Sequence, residues 1–154
     1  MGVHVDLLNS ATLFMNTGID ASFAFNLAGN PSMSLTGLTS GWNSVSAPVH
    51  MDGFGYFGYG VQWGGTGGNH SVAPPLDFTV NYAGAQMSDF LTLSSGGTDV
   101  YFAADIMGNG LTANGNTGAV GGGTPTTVPE PASMVLLGSG LLGAGFFGRR
   151  KKKN

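Results

Sequence analysis

The segment Leu76-Asp77-Phe78-Thr79-Val80-Asn81-Tyr82 alternates apolar and polar residues without a break. A period of two fits a strand with one buried face, with Asp77, Thr79 and Asn81 toward water. Ala21–Leu27 repeats the pattern, with Phe23, Phe25 and Leu27 on one face. Val100–Ile106 does so again, and the alternation predicts Val100, Phe102, Ala104 and Ile106 inward. Weaker strands are expected at Val3–Leu8, Ala11–Met15, Ser32–Leu38, Gly55–Trp63 and Phe90–Leu93. Turn signals part them at Asn16-Thr17-Gly18, Gly29-Asn30-Pro31, Ala73-Pro74-Pro75 and Ser95-Gly96-Gly97. No amphipathic helix longer than two turns precedes residue 130, and the 28 glycines disfavour helix throughout. The expectation is an all-β, antiparallel sandwich or jelly-roll-like body over residues 1–107, with room for one core.

Charge divides the chain sharply. All five Lys and Arg residues lie at the end, Arg149, Arg150, Lys151, Lys152 and Lys153, and residues 1–148 carry only His as basic groups. Of the eight acidic residues seven are Asp and one is Glu130, so the body ahead of the tail holds about −7. A body without Lys or Arg cannot neutralise phosphates, which excludes nucleic acid as a partner. There is no cysteine, hence no disulfide, thiolate metal site or Cys nucleophile. Residues 108–128 turn to Gly, Asn and Thr, a composition expected of a linker. Ala132 to Gly148 is uncharged and rises about 25 Å as a helix, at the short end of a bilayer span. The cations after it would act as a cytoplasmic stop and leave the body outside.

Val128-Pro129-Glu130-Pro131-Ala132-Ser133, then the Leu/Gly-rich span, then the basic terminus resembles the PEP-CTERM sorting signal of Gram-negative bacteria. The resemblance covers about the last 27 residues, and its parts occur together and in order: Pro129, Glu130 and Pro131, the span 132–148, and the stop 149–153. It implies recognition by an exosortase, a membrane processing enzyme acting near the tripeptide, and an association with extracellular polysaccharide and biofilm. The implied location is the cell envelope, anchored in the inner membrane before processing, then surface-exposed or secreted. The two prolines suit such a role physically, since they exclude regular helix and keep the motif extended. The chain opens with Met1-Gly2-Val3-His4-Val5-Asp6, which has neither the basic start nor the apolar run of a signal peptide. The expectation is that the reading frame begins upstream or that this is a fragment. A genuine start at Met1 would instead favour a tail-anchored protein with a cytoplasmic body.

Candidate chemistry in the body is sparse. His4 with Asp6 and His50 with Asp52 share a strand-face spacing, yet neither pair has a third partner, so edge pairing is the favoured explanation. His70 is expected in a loop. Asp99 and Asp105 fall on one polar face roughly 20 Å apart, too far for a glycosidase pair. No cofactor is expected; Ca²⁺ is the one metal weighed, without an Asp-x-Asp-x-Asp-Gly loop to carry it. The run Gly53-Phe54-Gly55-Tyr56-Phe57-Gly58-Tyr59-Gly60, with Trp63 nearby, raises two readings. Tyr56, Tyr59 and Trp63 lie flat on an open face suited to sugars, or Phe54, Tyr56 and Phe57 fill the core; the second is favoured. The expected function is a non-catalytic structural or adhesive surface protein, with a small carbohydrate-active enzyme as the alternative.

Overall fold

Backbone pairing follows the alternation. The structure, a computed structural model, describes residues 1–8, 11–18, 20–64, 70–108 and 117–123. In chain order the strands are β1 (Gly2–Val5), β2 (Thr12–Asn16), β3 (Phe23–Phe25), β4 (Ser34–Thr36), β5 (Trp42–Val45) and β6 (Val49–Met51). They continue as β7 (Gly55–Phe57), β8 (Tyr59–Trp63), β9 (His70–Val72), β10 (Leu76–Asn81), β11 (Val100–Gly108) and β12 (Thr117–Gly123). All pairings are antiparallel. The fold class is therefore all-β, with one 3₁₀ turn at Met87–Phe90 as the helical element among the described residues.

Three sheets result: a small one in the order β1-β10-β4, a large one in the order β5-β8-β3-β11-β2-β9 with β12 beside β11, and the hairpin β6-β7. β11 organises the large sheet. Phe102–Ala104 pair with β3 and Ile106–Gly108 with β2, while β12 runs along its other side. Between the small and large sheets lies the main core, where Leu76, Phe78 and Val80 meet Phe14, Phe23, Phe25, Val61 and Ile106. Burying each such side chain contributes about 1.5–3 kcal/mol.

The opposite face of the large sheet is also covered. Ala21, Ala24, Val100 and Ala103 pack against Val49, Met51 and Phe57 of the β6-β7 hairpin. Small residues make this possible: a Cβ on Gly60 would stand 2.9 Å from Val49. Large residues thus face one sheet and small ones admit the hairpin on the other side. Period-two reading registers only the first face, which is why β6 was not expected.

Several expectations change. Val100 and Phe102 do not share a face, because a bulge in the pairing with β12 shifts the register between them. Val100 joins the hairpin core, while Phe102 stays on the Phe23 side at the open margin, 48% exposed. Gly55–Trp63 is not one strand; Gly58 separates β7 from β8, which belong to different sheets. Phe90–Leu93 is not a strand either. Gln86 and Asp89 cap each other reciprocally and wind Met87–Phe90 into a 3₁₀ turn. Within the expected linker, Thr117–Gly123 forms β12, so the body unit runs through Thr124. Glycine allows this: Gly122 lies under the ring of Phe102, its cross-strand partner, where a Cβ would stand 2.2 Å from the ring.

The second unit, Pro125–Asn154, lies outside the described residues. It includes Pro129, Glu130, Pro131, the span 132–148 and Arg149 to Lys153. Among the described residues no helix is long and apolar enough to cross a membrane.

Candidate functional surfaces

The sequence-adjacent His–Asp pairs are not the pairs that form. His4 Nδ1 meets Asp77 Oδ1 at 2.6 Å across β1 and β10, opposite residues in the register, and not Asp6. His50 Nδ1 meets Asp20 Oδ1 at 3.2 Å, and not Asp52. Asp77 lies opposite His4 in the strand register, and Asp20 reaches His50 from the connection between β2 and β3. His70 begins β9 and pairs with Asn16, so it is in a strand rather than a loop. No group of three or more His, Asp or Glu stands together as a metal site among the described residues.

Asp105 was expected on a polar face with Asp99 but is only 2% exposed, on the β11 face that carries Ala103. The Thr17 hydroxyl donates to its Oδ2 at 2.9 Å. Burial holds Asp105 above the usual carboxylate range; the Thr17 bond opposes this, and the nearby Asp20 charge adds to it. A carboxyl with a folded pKa above its unfolded value contributes stability that is complete below the unfolded value. That contribution is lost as pH rises through the folded one. Asp105→Asn keeps an acceptor for Thr17 and removes the buried charge. The variant is expected to melt higher than the parent at pH 7 and to show a flatter pH–stability curve above pH 4, read by thermal denaturation across pH.

Beyond that cluster, Tyr82 donates its hydroxyl to Asp89, and this bond pushes the phenol up to about 12. The same bond holds the Asp89 carboxyl below its ordinary range. It ties the end of β10 to the 3₁₀ turn and marks no reactive centre.

The aromatic candidates separate. Tyr56 is 50% exposed rather than in the core, whereas Phe57 is buried and Phe54 half-buried. Tyr59 is stacked on Phe25 with ring centroids 5.5 Å apart and donates its hydroxyl to the Pro31 carbonyl. Trp63 packs edge-on to Trp42 at 6.2 Å and covers Gly41. Tyr59 lines a groove of about 660 Å³ between β4 and the β5–β8 pair. Tyr56 lines a second of about 410 Å³ that shares Asn30 and Gly58 with the first. The two thus adjoin at Asn30 and Gly58. Sequence reading found its tyrosines but not Asn26, Asn30, Ser34 or Ser44; the Gly29-Asn30-Pro31 turn was the available signal.

Among known proteins, residues 127–152 match the model of the PEP-CTERM protein-sorting motif. The match takes in Pro129-Glu130-Pro131, the apolar segment and the first four of the five terminal cations. It points to an exported protein sorted to the cell envelope through exosortase processing. No curated protein and no solved structure matches the chain.

Proposed function

We propose that this is a surface or extracellular-matrix protein whose β-sandwich body plays a non-catalytic, structural or adhesive role linked to exopolysaccharide. Delivery is by a tail that is anchored in the inner membrane until an exosortase cuts near Pro129-Glu130-Pro131. The observation that carries this is the sorting-motif match at residues 127–152 behind a body with no Lys or Arg. The non-catalytic part is supported by where the titratable groups go. His4 pairs with Asp77 across β1 and β10, His50 with Asp20 of the β2–β3 connection, and Asp105 is buried under Thr17. Such placements hold elements together.

The test is made in cells that carry an exosortase, with the protein expressed from its own locus. Mass spectrometry of the mature C-terminus is expected to show loss of the residues after the Pro-Glu-Pro region. Replacing Pro129, Glu130 and Pro131 by Ala is expected to leave the full-length chain in the membrane fraction. A parent chain that keeps Lys153 at the cell surface, or a triple variant processed like the parent, would defeat the proposal.

A further inference from the structure

The grooved surface on either side of Asn30 and Gly58 has a composition that selects a ligand class. Its lining contains no Asp and no His, although the body holds seven Asp. What it presents is neutral and hydrogen-bonding: Asn30, Ser32, Ser34 and Ser44 in the larger part, Thr92 and Ser95 in the smaller. Ser32, Ser34 and Ser44 are exposed. An ionic ligand would meet no counter-charge there, while a polyhydroxylated neutral one meets donors and acceptors in excess. The volumes, about 660 and 410 Å³, fall in the usual range for ligand sites of about 300–1,000 Å³.

The waist of the groove is built rather than incidental. Asn26 accepts from the Gly58 N–H at 2.7 Å and donates to the Leu93 carbonyl at 2.9 Å, fixing the floor from both sides. Asn30 adopts a left-handed backbone, φ 46, and its N–H donates to the Leu27 carbonyl at 3.0 Å. Its side-chain Oδ1 lies over Gly58, where any Cβ would stand 2.6 Å away. At the far end Tyr56 is held by two backbone bonds to Ser95, 2.8 and 3.1 Å. Gly96 lies beside its ring, and the His50 ring stands at 66° to it with centroids 5.2 Å apart. A fixed, half-exposed ring beside hydroxyls and amides is the arrangement that receives the apolar face of a sugar.

We propose that this groove binds a neutral glycan chain, with Tyr56 as the stacking surface and Asn30, Ser34 and Ser44 as polar contacts. The proposal deepens the structural and adhesive role above and rests on it for its biological setting. A polypeptide strand is the less favoured occupant, because the flanking strands offer only short ladders, three residues in β4 and four in β5. Tyr59 is structural here, since its hydroxyl and ring face are already used by Pro31 and Phe25.

Affinity electrophoresis of the detergent-solubilised full chain tests this in gels containing dextran, hydroxyethylcellulose or, as an anionic control, alginate. Retardation by at least one neutral polymer and not by alginate is expected. Tyr56→Ala, which removes the stacking ring, and Ser34→Trp, which fills the groove from an exposed position, should each weaken the apparent affinity about tenfold. Phe102→Ala, which truncates an equally exposed ring outside the groove, should bind like the parent, and circular dichroism keeps loss of binding apart from loss of fold. Absence of retardation in both neutral gels, or equal retardation of parent, Tyr56→Ala and Ser34→Trp, overturns the proposal. So does equal competition by a Gly/Ser-rich polypeptide, which would assign the groove to strand pairing. Sorting is read separately from the mature C-terminus in cells, so either reading can fail alone.

Discussion

Phe25→Ala is expected to lower the unfolding free energy by about 3–5 kcal/mol, the usual cost of deleting a buried Phe side chain. Phe25 is 1% exposed, and its ring meets Phe78 at 5.6 Å, Phe90 at 5.5 Å and Tyr59 at 5.5 Å. It therefore joins the small sheet, the 3₁₀ turn and β8 through one side chain of the central β3. A domain of this size holds about 5–15 kcal/mol in total, so the variant should lose a large share of its margin. Phe102→Ala removes the same atoms from a ring that is 48% exposed, and should cost about 1 kcal/mol or less. Urea denaturation of the two variants beside the parent measures the difference. Equal losses would contradict the core assignment.

The contrast between these two phenylalanines also measures how much the sequence discloses. Phe23, Phe25, Leu76, Phe78 and Val80 are legible because each is a large apolar residue that alternates with polar or small ones along its strand. Phe102 follows the same rule and still lands at the margin. It keeps the expected face, against Phe23, at the sheet's open edge, and it is Val100 that a bulge in the pairing with β12 turns to the hairpin side. β12 is itself obscured by its glycines, whose composition is that of a linker. Local pattern cannot tell a glycine that is free from one lying against Phe102 or Phe54. The hairpin layer escapes for a related reason, since Ala24, Gly60 and Ala103 carry too little apolar weight to announce a second buried face.

The functional surfaces divide along the same line. The sorting motif is contiguous and needs no fold to be recognised, so Pro129-Glu130-Pro131, the apolar segment and the cations were readable together. Pairs such as His4 with Asp77 and His50 with Asp20 depend on contacts between elements distant in sequence, and i, i+2 spacing picked the wrong carboxylate each time. The groove is harder still. Asn26, Asn30, Ser34, Ser44 and Tyr56 come from different segments and share only their positions around Gly58.

Gly55→Ala is expected to destabilise the body by about 3 kcal/mol or more, and Gly53→Ala by about 1 kcal/mol, although the two glycines have nearly the same φ. Their φ values are +81 and +79, so each substitution carries the left-handed penalty of about 1–2 kcal/mol. They differ sharply in the space around them. A Cβ on Gly53 meets nothing within 4 Å, whereas one on Gly55 would stand 2.1 Å from the Ser95 carbonyl oxygen. That oxygen accepts the Tyr56 N–H at 2.8 Å, and the Ser95 N–H returns a bond to the Tyr56 carbonyl at 3.1 Å. Backbone cannot rotate away as a side chain does, so the methyl must push the Ser95–Gly97 segment off β7 and loosen Tyr56 with it. Denaturation midpoints of the two variants measure the difference, with the positive φ shared by both. The gel assay with neutral polymers adds a second readout: Gly53→Ala should keep its retardation and Gly55→Ala should lose it even at temperatures where it remains folded. Equal midpoints for the two variants would show that Ser95 is free to move, and that Tyr56 is not held as the groove requires.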